Sequence, residues 1–284
     1  MDKYAPILIV GNTAHDILIS EQHPITQCLG GSAPYISNVL EGLNIPYYTI
    51  SNVGEDFKYF DQCAFIPRII KKTFTTTFIN YTSCIPRKQK VLKKCKPILP
   101  TDININTDIS LICGIIGEIL PETIKKIRSK SKILVCDIQG LIRTVTDDNK
   151  IVHTHIQKTL YSNCIFLFDF IKMSEEELEF VDLKRLVAAG ISTLITKGEK
   201  GCEILTPAAN IHIPAFPTQP IDNTGAGDCF LAGFAAGLYN KLSIYDSIVL
   251  GHQCGHIAVK FLGIPSINNF TIIGREKIIN YNEL

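Results

Sequence analysis

The sequence has no excess of charge: 28 Lys and Arg stand against 27 Asp and Glu, a formal net charge of +1 over 284 residues. Without a basic or acidic surplus the chain has no global electrostatic footprint for nucleic acid or an anionic membrane surface, and neither is expected as a partner. Long apolar runs are missing too. No stretch approaches the roughly 18 apolar residues of a membrane-spanning helix. The run Ile7-Leu8-Ile9-Val10 ends at Gly11, too short for the core of a secretory signal. The ten cysteines include no C-x-x-C pair, which disfavours a zinc site or a disulfide framework. They are expected to be reduced, mostly buried small hydrophobes of a cytoplasmic protein. Neither the Lys-Ser/Thr of a Walker loop nor a G-x-G-x-x-G dinucleotide turn is present.

What is present is a recurring short apolar run: Ile7 to Val10, Tyr47 to Ile50, Ser110 to Cys113, Ile133 to Cys136, Ile165 to Phe168 and Thr193 to Thr196. Such non-alternating runs predict strands buried on both faces of a mostly parallel sheet. Helix-like segments intervene. Ala33 to Leu43 places Ile36, Val39, Leu40 and Leu43 on one stripe, and Pro121 to Ser129 opens with a proline suited to a first helical turn. The rhythm is that of an α/β fold in one domain spanning 1–284. Asp16 to Ile19 and Thr73 to Tyr81 read instead as antiparallel strands, either a small β lid within about 12–29 and 73–83 or extra edge strands of the main sheet. The basic run Arg87 to Lys94 reads as a solvated surface.

The most informative stretch runs from Ile221 to Phe234, where Phe230, Leu231, Phe234, Ala235 and Leu238 follow helical spacing. A buried helix therefore begins at or just after Gly225, with Gly225, Ala226 and Gly227 in its first turn. The first amides of a helix lack partners and the helix dipole adds partial positive charge, so this turn can hold an anion. Asp228 would sit in the same turn, kept ionised by the dipole and placed as a general base. A glycine turn before a helix serves close packing equally well.

Asp222-Asn223-Thr224-Gly225-Ala226-Gly227-Asp228 resembles the D-T-x-G-A-G-D-type motif of the PfkB (ribokinase-like) carbohydrate kinases, with Asn223 inserted where that family varies. Gly11-Asn12 with Asp16, Gly30-Gly31, Lys172 to Glu177 and Thr196 to Gly201 follow in the family's order. Through Leu29-Gly30-Gly31, Pro97 to Pro100, Gly117 to Thr123, Asp137-Ile138-Gln139 and Leu141-Ile142-Arg143 the likeness runs to the inositol kinases of plants. The resemblance implies a three-layer ribokinase-like domain with a small β lid. It also implies transfer of the γ-phosphoryl of ATP, with Mg²⁺ and room for a monovalent cation, to a polyol or sugar, myo-inositol first among them. Asp228 would be the base and the amides of Gly225, Ala226 and Gly227 the anion hole. Thr196, Gly198, Gly201 and His252 would line the ATP site. Asp16, Asn12, Gly31, Gln139 and Arg143 would meet the substrate, and Glu177 the metal through water, with Ser174 standing where the family has Asn. Ser174 and Glu177 also fit an ordinary capping box, and His252 with His256 fit core positions. Tyr35 replaces an Asn that binds substrate in many sugar kinases, which argues against ribose. Another sugar or nucleoside kinase, or a silent member serving as a binding protein, stays open, as does monomer against homodimer.

Overall fold

The computed structural model describes residues 6–19, 24–81 and 88–275. Residues 20–23 and 82–83 of the lid ranges, Cys84 and Arg87 lie outside them. The chain runs β1 (Ile7–Val10), β2 (Ala14–Ile19), β3 (Thr26–Gly30), α1 (Ser32–Gly42), β4 (Tyr47–Ile50), β5 (Asn52–Val53), β6 (Arg68–Ile69), β7 (Thr76–Tyr81) and β8 (Lys88–Lys93). It continues through β9 (Thr107–Ile112), α2 (Pro121–Arg128), β10 (Ser131–Asp137), α3 (Gln139–Ile142), β11 (Arg143–Val145), β12 (Ile151–His153), β13 (Phe170–Ser174), α4 (Leu183–Ala188) and β14 (Ser192–Thr196). Last come β15 (Cys202–Leu205), β16 (Asn210–Ile213), α5 (Ala226–Tyr239), α6 (Ile244–Ala258) and α7 (Asn268–Arg275).

Eight strands form the central sheet in the order β16-β15-β14-β13-β10-β9-β1-β4. From β4 to β14 every neighbour is parallel, and β15 and β16 close the edge antiparallel. Alternate residues feed opposite layers, as the pleat dictates. Ile7 and Ile9 pack with α1, α5, α6 and α7, whereas Leu8 and Val10 pack with Ile124 and Ile127 of α2 and Leu186 of α4. The carboxyl ends of β1, β9, β10, β13 and β14 all point to one edge, where α/β sheets place their ligands.

One expected strand is displaced. Ile165 to Phe168 is not a strand: Cys164–Leu167 is a 3₁₀ turn packed under α2, and the strand is Phe170–Ser174. A short apolar run does not by itself distinguish strand from buried turn. The true strand carries Lys172 in its middle, a residue buried there because Asp137 pairs with it.

The segments around Asp16 and Thr76 form a separate four-stranded sheet, order β3-β2-β7-β8, rather than extending the main one. β2 and β7 pair parallel to each other, not antiparallel, and each has an antiparallel neighbour, β3 or β8. The basic run forms the edge strand β8 with Val91 turned inward. The hairpin β11–β12 packs Val145 and Ile151 against Ala14, Phe78, Val91, Ile115 and Ile116, so the small sheet and the main sheet share one apolar seam. The nine described cysteines are free thiols.

Phe234 anchors α5, fully buried with its ring 5.2 Å from Phe170 in an edge-to-face contact. Phe234→Ala is expected to lower the unfolding free energy by about 3–5 kcal/mol through the lost burial and the cavity left behind. Urea denaturation of wild type and variant checks it.

Candidate active site

Two helix N-termini converge at the carboxyl edge. Gly31 caps α1 with φ 89°. A Cβ there would lie 2.5 Å from the carbonyl oxygen of Asn12, so only glycine lets α1 start against the loop after β1. Gly225 caps α5 at φ 76°, and a Cβ on it would collide with the ring of Tyr35 from α1. The Asp222 carboxylate tightens the approach to that turn, accepting from the Thr224 amide at 2.9 Å and its hydroxyl at 2.7 Å.

Asp228 lies in the first turn of α5, partly exposed, and accepts a hydrogen bond from the Ser32 hydroxyl at the start of α1. Burial and then Asp137 push its carboxyl up to about 6, against the opposing pull of Lys172, Ser32 and Arg143. Loss of solvation is the largest influence, yet a carboxyl at about 6 is still ionised at neutral pH. Beneath the turn, the Lys172 ammonium donates to Asp137 at 2.8 Å, with the two residues 7% and 3% exposed. A Cβ on Gly227 would sit 2.6 Å from that ammonium. Burial pulls Lys172 down, but Asp137, Glu177 and Asp228 together hold it above its ordinary value.

On one side of this turn lies a cavity of about 600 Å³ lined by Thr196, Gly198, Gly201, Ala226, Gly227 and His252. The sequence-predicted nucleotide residues are therefore brought together, except Gly225, which faces Tyr35. Phe216 and Phe230 supply apolar wall, with Phe230 5.2 Å from the His252 ring. Burial pushes His252 down to about 4, leaving a neutral imidazole whose Nε2 has no hydrogen-bond partner. A cavity of about 580 Å³ beside Pro46 and Tyr48 opens at the outer edge of the main sheet, away from both helix N-termini.

The predicted substrate residues come from the loop after β1, from β2, from the start of α1 and from α3 with the strand after it. The Asp16 carboxylate packs directly on Gly30, the residue before Gly31. Asn12 is fully buried, its Oδ1 accepting from the Asn52 amide at 2.9 Å and its Nδ2 without a partner. The Gln139 amide donates to Asp137 at 3.2 Å, and Arg143 Nη1 to the Ile115 carbonyl at 3.3 Å. Glu177 behaves as the capping box allows, accepting from the Ser174 amide at 2.7 Å. Burial, then Asp137, raises its carboxyl, with Lys172 opposing. Among the described residues no group of three His, Cys, Asp or Glu side chains is arranged to hold a metal ion.

Three residues escaped the sequence reading as functional elements. Lys172 and Asp137 are apolar-strand residues by position, and only their mutual pairing across β13 and β10 reveals them. Glu118 is buried and ties two loops together, accepting from the amides of Asn12 at 3.1 Å, Ile115 at 2.9 Å and Ile116 at 2.9 Å. A lone glutamate inside the apolar stretch Leu111 to Leu120 was its signal.

A model of the pfkB family of carbohydrate kinases matches residues 106–265. An inositol 3-kinase of Arabidopsis thaliana is 34% identical over 271 residues, covering 92% of this chain and 76% of that protein. One of Zea mays is 31% identical, covering 92% and 74%. Among solved structures, a pyrophosphate-dependent kinase of the ribokinase family complexed with a pyrophosphate analog and myo-inositol superposes with a TM-score of 0.80 at 18% identity, covering 94% of this chain and 100% of that one. Thermotoga maritima ribokinase gives 0.75 at 17% identity, covering 95% and 99%.

The buried pair yields a stability prediction. Removing one member of such a pair typically costs about 3–5 kcal/mol, because it strands the other charge. Asp137→Ala should show that loss in denaturant titration, and the combined Asp137→Asn, Lys172→Met variant should recover most of it.

Proposed function

The chain belongs to the pfkB family of carbohydrate kinases, and from that membership we propose that it transfers the γ-phosphoryl group of ATP to a hydroxyl of myo-inositol. The observation that carries this reading is the position of Asp228. It stands in the first turn of α5, whose Ala226 and Gly227 line the nucleotide-sized cavity, and accepts from Ser32 at the start of α1. The names of the plant relatives at 31–34% identity over nine-tenths of the chain support the acceptor. The donor reading rests on the cavity. About 600 Å³ with aromatic walls and a neutral His252 suits a purine nucleotide better than a bare pyrophosphate.

Phosphoryl transfer needs positioning and charge stabilisation more than covalent chemistry. Asp228 takes the proton of the attacking hydroxyl, and a carboxyl pushed up to about 6 serves as a base near neutrality. The Gly227 amide in the first turn of α5 would meet charge building on the transferring phosphate, whereas the Ala226 amide is engaged with the Asn223 carbonyl at 3.3 Å, and the Lys172 ammonium beneath Gly227 adds a fixed positive charge. Asp16 accepts from ring hydroxyls, with Asn12, Gly31, Gln139 and Arg143 around it. The β11–β12 hairpin packs on the small sheet beside Ala14 and Phe78, and together they would shield the polyol from water. With Asp137 paired to Lys172, Glu177 would meet a divalent ion only through water, and that ion would rest chiefly on the donor's own phosphates. Mg²⁺ there would neutralise phosphate charge.

Asp228→Asn should cut kcat by about 10²-fold to 10⁴-fold with ATP affinity little changed; activity within threefold of wild type contradicts the base assignment. The base works deprotonated, so wild-type kcat/KM should fall as pH drops through about 6, reaching roughly a tenth of its plateau at pH 5. A profile flat from pH 5 to 8 contradicts it. In a panel with ribose, fructose, adenosine and cytidine, myo-inositol should give the highest kcat/KM. A sugar or nucleoside ahead by tenfold would remove inositol and keep the kinase. ADP release from no acceptor at all would favour a binding protein.

A further inference from the structure

Balanced as a whole, the charge is not balanced along the chain. Residues 58–96 carry ten Lys and Arg against one Asp, a formal +9, which leaves −8 for the other 245 residues. The fold gathers part of that surplus at the root of the small sheet, where β6, the turn after it and the end of β8 meet. Ile69 on β6 pairs with Val53, the Lys72 amide donates to Glu55 at 3.2 Å, and the Lys93 ammonium lies 3.3 Å from Asp56 and 4.1 Å over the Phe74 ring.

The carboxylates nearby do not neutralise this face. Glu55 accepts from a backbone amide, Asp56 from the Thr75 amide as well as from Lys93, and Asp102 pairs with Arg68. Lys71, Lys72, Lys94 and Lys96 are exposed, and none of them pairs with a carboxylate among the described residues. Lysines also guard exposed strand edges against pairing with another chain. These four lie outside every strand, so edge protection does not account for them.

Apolar side chains stand among the ammoniums. Phe78 pairs with Val91 and Thr77 with Lys93, so Leu92 is the unpaired residue of a β-bulge. Leu92 is 52% exposed, Phe74 56% and Ile69 51%. A single exposed apolar residue means little, but three among unpaired lysines make the pattern of an interfacial surface, with lysine stems lying along the apolar groups and ammoniums reaching outward. Neither cavity described above is lined by these residues. Side chains that project suit a bilayer, which needs no groove, better than a protein partner, whose anchors need pockets.

We propose that this face rests on a bilayer rich in anionic lipid, with Lys71, Lys72, Lys94 and Lys96 on the head groups and Leu92, Phe74 and Ile69 in the boundary beneath them. Attraction to such a surface fades within a screening length, so a local surplus serves where the net charge of the whole chain is close to zero. This docking goes beyond the kinase reading and is independent of what the site phosphorylates.

The test is co-sedimentation of the full-length protein with vesicles of phosphatidylcholine mixed with phosphatidylserine, and with phosphatidylcholine alone. Wild type is compared with a Lys71→Gln, Lys72→Gln, Lys94→Gln triple variant, with Leu92→Asn, and with a control that removes charge elsewhere, Lys125→Gln with Lys126→Gln on α2. All six positions are exposed, so the variants should fold. Wild type should sediment with the anionic vesicles only, and should release them in about 1 M salt, where the screening length is about 3 Å. The triple variant should bind about a hundredfold more weakly. Leu92→Asn should weaken binding at least about fivefold through lost apolar burial, and the control should match wild type. Wild-type binding to anionic vesicles no greater than to neutral ones overturns the proposal. So does a triple variant that binds as wild type does, or a control that loses as much as the triple variant, since overall charge and not this face would then be responsible. Soluble poly-glutamate that binds as tightly as the vesicles, with Leu92→Asn indifferent, overturns the bilayer in favour of an acidic protein.

Discussion

The ion pair between Lys172 and Asp137 is the interaction on which the rest of the site depends. It lets a charged residue occupy the middle of the central sheet, where unpaired charge is prohibitive. It places an ammonium under Gly227 at the point where α5 begins, and so reinforces the positive end of that helix. It also balances part of the negative charge of Asp137, Glu177 and Asp228. Asp228 is left with a raised but not prohibitive carboxyl, pushed to about 6 by burial first and by Asp137 second. A carboxylate, a glycine-lined helix turn and a counter-charge thus come from three neighbouring strand and helix ends. Only the mutual packing of α1 and α5 sets their spacing.

Glycine does the remaining positioning where no side chain fits. Gly31 admits α1 against the Asn12 loop, and Gly225 admits Tyr35 against α5. Both helices consequently start within reach of each other, which is why Ser32 of α1 can bond Asp228 of α5. The Glu118 carboxylate does for the loops what the glycines do for the helices, gathering the amides of Asn12, Ile115 and Ile116 onto one side chain.

Much of the architecture was legible in the sequence because parallel strands buried on both faces leave unbroken apolar runs, and five of the six runs are strands. The sixth, Ile165 to Phe168, failed for a physical reason. The real strand, Phe170 to Ser174, is interrupted by a lysine whose partner lies 35 residues earlier. No local pattern reports such a pairing. The helix start at Gly225 was readable because helical spacing is a local property, and the structure joins its first turn to Thr196, Gly198, Gly201 and His252 in one cavity. The upward push on the Asp228 carboxyl was not legible, because it comes from burial and from Asp137, both tertiary.

The account stands most directly on transfer of the phosphoryl group itself. ATP labelled with ³²P at the γ position, incubated with the protein, Mg²⁺ and myo-inositol, should deliver its label into an inositol monoester in step with ADP formation. Label that stays in ATP, or that emerges only as inorganic phosphate while inositol is untouched, would contradict the assignment of Asp228 and its turn to phosphoryl transfer onto this polyol.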